Sequence, residues 1–290
     1  MRRIAPYHVL TFLFLTGLIL LTLFFHGVLP HWRSLVFRYL LWLALLFAIQ
    51  LSSKRKMIGR LGDLANTFSP ILFIVLIYES LGDLIQYLHP DIDRSLMEID
   101  FFLFGVHPTL WMQQCIVPWF TDVMSFAYVS YYFLPVILVV TLCLKNRKEE
   151  VDRSLFVLTL GYYLSFIGYI LFPAVGPRYA MTSLYSVPLE GSLLTDLVRD
   201  GLNAIEHNKR DCMPSGHTEI VLIVLYLAYR YERFLFYLFF PLVCGLILST
   251  IYLRYHYVID LFAGATIAVG CMIVGPRLYE GLGGGAREIS

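Results

Sequence analysis

The sequence predicts an all-α fold, a polytopic membrane bundle of about eight transmembrane helices, and three observations carry that expectation. The 290 residues are 58% hydrophobic and only 15% charged, with a mean hydropathy of +0.70, whereas a soluble domain averages about a quarter charged and under half apolar. The charges cluster between apolar runs of about 20 residues, each long enough to cross a bilayer as a helix. The basic residues also fall on alternate sides of those runs, as they do when they set membrane orientation.

The expected spans are 9–28, 35–51, 68–88, 122–144, 154–172, 215–230, 233–252 and 256–275. The first follows Arg2 and Arg3; it is too long for a signal-peptide core and has no small-x-small cleavage site, so it reads as an uncleaved span. Arg2 and Arg3, Lys54 to Lys56 with Arg60, Lys145 to Lys148 with Arg153, Arg230 with Arg233, and Arg277 with Arg287 all fall on one side. That side is expected to be cytoplasmic, with both termini inside, in the cell (inner) membrane. Segment 91–120 begins acidic, turns apolar and is interrupted by Gly105, Pro108 and Pro118, which predicts an interfacial or re-entrant helix. Segment 173–214 predicts a long polar outer loop suited to headgroup contacts. The Gly283-Gly284-Gly285 tail predicts disorder.

A net charge of +1 gives no sign of a nucleic-acid partner. The five cysteines show no metal-ligand spacing. Cys143, Cys244 and Cys271 read as packing residues, while Cys115 and Cys212 share the outer side, which leaves a disulfide between them open.

Two stretches carry chemistry, Cys212-Met213-Pro214-Ser215-Gly216-His217-Thr218 and His256-Tyr257-Val258-Ile259-Asp260. Both are expected at the same non-cytoplasmic face. His256 and Asp260 stand i, i+4, so on a helix they share a face and the carboxylate can hold Nδ1–H, leaving Nε2 free to attack phosphorus. The alternative is a buried pair that only joins two helices; ionisable residues inside a membrane favour function. Pro-Ser-Gly before His217 reads as a helix start whose free N–H groups favour an anion, with Gly216 admitting close approach and Ser215 adding a hydroxyl. His217 is then the general acid on the leaving oxygen. Arg178, after a Gly-Pro turn, can grip two phosphate oxygens, where the plain alternative is a snorkelling arginine. Arg254, and less directly Lys209 and Arg210, are further phosphate candidates. Glu79 and Asp83, one turn apart, line a polar cavity or cap an outer helix end. Asp93, Asp100, Gly105 and Pro108 have no chemistry assignable from spacing.

These residues resemble the type 2 phosphatidic acid phosphatase superfamily, whose pattern is Lys-x6-Arg-Pro, then Pro-Ser-Gly-His, then Ser-Arg-x5-His-x3-Asp. Pro214 to His217 match the second motif in full, and His256 with Asp260 match the end of the third, where Thr250 stands at the arginine position. Arg178 alone matches the first, with Tyr179 after it and Leu171 at the lysine position. The run from Ile251 to Asp260 and the stretch from Asp100 to Pro108 look like the inositolphosphotransferase branch, that of fungal inositol phosphorylceramide synthase. The resemblance implies a six-helix catalytic core over 65–278, containing the outer segments 91–120 and 173–214, two additional helices over 1–64 and a flexible cytoplasmic tail over 279–290. It further implies a metal-independent phosphatase or phosphotransferase, without cofactor, acting on a membrane lipid phosphate ester or phosphodiester at the outer face. His256 becomes phosphorylated, His217 protonates the leaving group, and water or a hydroxyl acceptor resolves the intermediate. Arg254, with Lys209 or Arg210, is expected to supply the positive charge absent from positions 171 and 250. Rival readings are a lipid transporter or flippase, disfavoured by the gathering of polar residues at one face, and a non-catalytic scaffold.

Overall fold

The computed structural model describes residues 4–54, 59–205 and 208–285, and every described element is helical. Three helices open the chain: α1 (Pro6–Phe24), α2 (Trp32–Lys54) and α3 (Gly59–Ile85). They pack on one another and, through α1 and α3, on α7 (Lys148–Leu171). Their shared core runs through Leu15, Tyr39, Phe73 and Ile77 to Tyr163 and Phe166 of α7. A second core joins α6 (Pro118–Leu144), α7, α10 (Gly216–Tyr231), α11 (Arg233–Tyr252) and α12 (Val258–Gly281). Helix α7 serves both cores, and its apolar residues run round its whole circumference, as they must in a helix buried on two sides.

Between α3 and α6 lie α4 (Asp93–Phe104) and the single turn α5 (Pro108–Trp111). Gly105, at φ 69°, closes α4 in the left-handed conformation that glycine adopts without a steric penalty. One face of α4 is buried at Asp93, Leu96 and Asp100, whereas Phe101 to Phe104 are exposed, the form of an interfacial helix. Between α7 and α10 the polar segment holds two more helices, the single turn α8 (Pro177–Ala180) and α9 (Thr195–Ile205), so it is not plain loop.

Among the described residues, seven helices are long and apolar enough to cross a membrane: α1, α2, α3, α6, α7, α11 and α12. Several such helices make this an integral membrane protein. The expected span 215–230 departs from that set, because α10 has only 16 residues, about 24 Å of helix. It is instead the helix at the centre, packed against α6, α7, α11 and α12. Gly283 and Gly284 donate amide hydrogen bonds to the Glu280 and Tyr279 carbonyls of α12. Of the basic residues used for orientation, Arg2, Arg3, Arg55, Lys56 and Arg287 lie outside the described residues. Asp83 pairs with Arg38 at 3.0 Å at a half-exposed position.

Candidate active site

The two histidine stretches meet where α10 and α12 both begin. Ser215 caps α10: its hydroxyl accepts from the Thr218 N–H at 3.2 Å and donates to Thr218 Oγ1 at 3.1 Å. Its own amide donates to the Asp260 carbonyl at 3.0 Å, which ties the first turn of α12 to the Pro-Ser-Gly turn. The Ser215 side chain is thus hydrogen-bonded within the cap of α10. Gly216 also has a packing reason, because a Cβ there would stand 2.3 Å from the Tyr169 hydroxyl. What α10 offers an anion is its leading amides, which have no carbonyl one turn back.

His217 is the second residue of α10. Its ring lies between Tyr128 and Tyr131, at 4.6 and 4.3 Å between ring centroids. His217 Nδ1 is 3.4 Å from His256 Nε2, and His217 Nε2 is buried with no hydrogen-bond partner among the described residues.

His256 stands before α12 rather than on it, which corrects the expectation of a shared helix face with Asp260. The chain leaves α11 through Arg254 at φ 67°, and the Tyr255 and His256 amides both donate back to the Thr250 carbonyl. This reversal aims the His256 ring at the Pro-Ser-Gly turn. Its Nδ1 lies 2.9 Å from the Cys212 carbonyl oxygen and 3.5 Å from Asp260 Oδ2. A carbonyl only accepts, so Nδ1 carries the proton and Nε2 keeps the lone pair that faces His217. The backbone carbonyl of Cys212 is thus the nearer partner, and Asp260 is a flanking charge. Asp260 Oδ2 accepts from the Tyr257 N–H at 2.9 Å and from the Cys212 thiol at 2.8 Å, and Oδ1 is buried without a partner among the described residues. The Cys212 thiol is free of any disulfide and Cys115 is exposed, so those two cysteines do not pair. Cys212 Sγ, His256 Nδ1 and Asp260 Oδ2 lie within 4.8 Å of one another, a spacing that a metal ion could use, but thiol and imidazole already donate to oxygen acceptors here.

Two carboxylates on α4 hold the loops that carry these groups. Asp93 accepts from the Val175 and Gly176 amides at 3.0 and 2.8 Å and from the Tyr257 hydroxyl at 3.0 Å. Asp100 accepts from the Val258 and Ile259 amides at 2.8 and 2.9 Å, and so caps α12 from outside. Burial pushes the Asp100 carboxyl above its ordinary value, against the pull of those two amides. Sequence reasoning named both residues without giving them a role. Their signal was the seven-residue spacing, two helical turns, on the buried face of an otherwise greasy helix.

His217 and His256 open into a cavity of about 390 Å³ that Arg178, Lys209, Asp211 and Tyr255 also line. Arg178 donates its amide to the Arg254 carbonyl at 2.7 Å and its guanidinium to the Tyr255 hydroxyl at 3.1 Å. Gly176, at φ 83° with the Tyr255 carbonyl 2.5 Å from where a Cβ would stand, allows this close crossing. Lys209 lies 5.6 Å from the Tyr179 ring centroid. Asp211 accepts from the Tyr78 hydroxyl at 2.7 Å; burial raises its pKa above the ordinary value, while Tyr78 and His256 oppose the rise.

The other two cations are not among the cavity's lining residues. Arg210 is held by both oxygens of Asp91, at 2.6 and 3.1 Å. Arg254 lies over the Tyr185 ring at 3.8 Å and donates to the Val187 carbonyl at 2.5 Å. It lines an adjoining chamber instead, which Arg178 borders from the other side. Of the three cations expected to supply the missing charge, Arg254 with Lys209 or Arg210, the structure places Lys209 on the cavity wall, while Arg254 and Arg210 each contact a nearer partner.

A family model described as the PAP2 superfamily matches residues 94–274, from α4 through nearly all of α12. Among curated proteins, a PA-phosphatase related-family protein of Dictyostelium discoideum is 24% identical over 177 residues, 53% of this chain and 32% of that protein. The match thus spans about a third of the relative's length. No solved structure matches the chain. The matched segment contains both histidine stretches and Asp100, the α4 carboxylate that receives the first amides of α12, and the chain belongs to the PAP2 superfamily.

Proposed function

We propose that the chain is a lipid phosphatase or phosphotransferase that works through a phosphohistidine on His256, at the non-cytoplasmic face of the cell membrane. The observation that carries this reading is the approach of His256 Nε2 to His217 Nδ1 at 3.4 Å, on the wall of a cavity that also holds Arg178 and Lys209. Nε2 attacks phosphorus while the P–O bond to the lipid alcohol breaks, and protonated His217 gives its proton to the departing oxygen. Phosphorus takes the place of the direct imidazole contact. Arg178, Lys209 and the leading amides of α10 neutralise the equatorial oxygens. Water or an acceptor hydroxyl, deprotonated by His217, then attacks phosphorus and the P–N bond breaks. Basic residues at the opposite ends of the helices support the outward orientation, and the exposed apolar face of α4 suits the headgroup level. In this reading α1 and α2 are additions to a catalytic core over 65–278, and the inositolphosphotransferase branch remains the reading of the run from Ile251 to Asp260.

The test is purified protein with lipid phosphates, quenched in alkali and examined for an acid-labile phosphoryl group on His256. Trapping on His256, with diacylglycerol released, supports the reading. Inorganic phosphate then marks hydrolysis, and a new phospholipid formed only with an added alcohol marks transfer. Full turnover in His256→Ala would end it.

A further inference from the structure

Helix α4 changes character along its length. In its first two turns Arg94 and Glu98 are exposed and form an ion pair at 2.9 Å, while Asp93 and Leu96 are buried. Its last turn, Phe101 to Phe104, is exposed at every residue, Phe102 to 87%. Successive residues of a helix point about 100° apart, so these four present apolar surface on every side of the axis. A helix end that is apolar all round belongs in a core or in lipid, and this one is not in a core.

Its neighbour identifies the surroundings. Helix α4 packs against α12, which is long and apolar enough to span the membrane. Asp100, immediately before the apolar turn, receives the Val258 and Ile259 amides at the start of α12. From that level α12 carries exposed Phe262, Val269 and Ile273 along its length, the surface a spanning helix gives to acyl chains. The apolar turn of α4 therefore adjoins a surface that is already in the bilayer. Trp111 of α5, also exposed, is an aromatic of the kind that gathers at membrane interfaces.

The buried face of the same helix holds the loops of the site, through Asp93 on Val175, Gly176 and Tyr257 and through Asp100 on Val258 and Ile259. The apolar contacts of that face form a small core, Leu96 with Ala174, Met181, Cys212 and Tyr257, separate from the two large ones. Against so small a core, removing four large side chains from water is a substantial share of what keeps α4 in place.

We infer that the last turn of α4 is a docking surface for the acyl chains of the bilayer that α12 crosses, and that this contact holds Asp93 and Asp100 against the loops 175–176 and 257–259. The bilayer is then part of the scaffold that aims His256, whichever lipid is turned over.

The test uses the full chain in nanodiscs of palmitoyl-oleoyl phosphatidylcholine, with two readouts. Photoreactive benzoylphenylalanine at position 102 is expected to give, on illumination, an adduct of the protein with phosphatidylcholine, seen by mass spectrometry. An adduct with a second copy of the chain, or none with lipid, overturns the docking. In the second readout, a protein carrying both Phe101→Ser and Phe102→Ser exchanges the amide hydrogens of residues 175–176 and 258–259 about tenfold faster or more than wild type, with α7 unchanged. Phe102→Ser alone gives a smaller rise in the same direction, and serves if the double variant does not fold. Phe234→Ser, which removes an exposed aromatic at the start of α11, leaves these amides at the wild-type rate. Unchanged exchange in the folded α4 variants, or an equal rise in Phe234→Ser, overturns the coupling. Neither readout needs turnover, so a protein inactive on every lipid phosphate ends the functional reading and leaves this inference standing.

Discussion

The two ends of α10 are held by different means. At its start, buried carboxylates and carbonyls receive backbone amides: Asp100 takes those of Val258 and Ile259, Asp93 those of Val175 and Gly176, and the Asp260 carbonyl that of Ser215. At its finish, long side chains meet in partly solvated ion pairs. Lys145 reaches Glu232 at 2.5 Å, Arg153 reaches Glu280 at 3.2 Å, and Arg147 joins Glu150 and the Tyr231 carbonyl. An exposed pair loses side-chain entropy and is screened, so each contributes about 0–1 kcal/mol. A buried carboxylate on two amides cannot be given up without leaving donors unpaired, which costs about 1–3 kcal/mol per group. The histidines stand at the end where position is fixed by backbone, and the partly solvated ion pairs stand at the other.

Breaking the histidine pair should have the largest effect. His256→Ala or His217→Ala is expected to lower diacylglycerol release about a thousandfold or more; a variant retaining a tenth of wild-type rate would remove that histidine from the chemistry. Next comes the scaffold around it. Asp93→Asn and Asp100→Asn touch no substrate, yet each loosens a loop that aims a reacting group, so kcat should fall roughly 10- to 100-fold with a smaller change in KM. An equal rise in KM with kcat intact would show that these residues serve binding instead. Gly176→Ala adds both left-handed strain and a contact with the Tyr255 carbonyl, and should destabilise the protein by about 1–3 kcal/mol, read as a lower melting temperature in detergent.

Asp100 also sharpens the comparison through pH. Its folded pKa is raised above 3.8 by burial, so the folded state holds this proton more tightly than the unfolded one does. The resulting stability is fully present below 3.8 and is lost as pH rises through the folded value. Wild-type melting temperature should therefore rise relative to Asp100→Asn as pH is lowered through that window; a gap that stays constant, or moves the other way, contradicts the assignment. The smallest effect belongs to the far end. Lys145→Ala should change stability by no more than about 0.5 kcal/mol and rate by less than about twofold, since Arg147 still lies 3.8 Å from Glu232; a large loss there would erase the contrast between the two ends.

Much of this was legible residue by residue. Seven of eight expected spans are helices of spanning length because long apolar runs admit few other structures. The two histidines could be paired in advance because each ends an apolar run on the same side. Other features left little mark. The His256 partner is a backbone carbonyl, which every residue possesses, so no residue type announces it. Arg254 reads from the sequence as a phosphate candidate, and its contacts with Tyr185 and Val187, far from it along the chain, have no local signal. Helix α10 resembles any other apolar run, and only its neighbours make it the centre of the bundle.

By itself the sequence determined the solvent and the inventory: a helical membrane protein with two imidazoles, a carboxylate and an arginine in recognisable order, because hydropathy and residue chemistry are local properties. Tertiary structure alone decided which atoms meet. The Asp93 carboxylate and the Tyr257 hydroxyl are 164 residues apart along the chain and 3.0 Å apart in space, and such distances follow from how packed helices bring distant loops together.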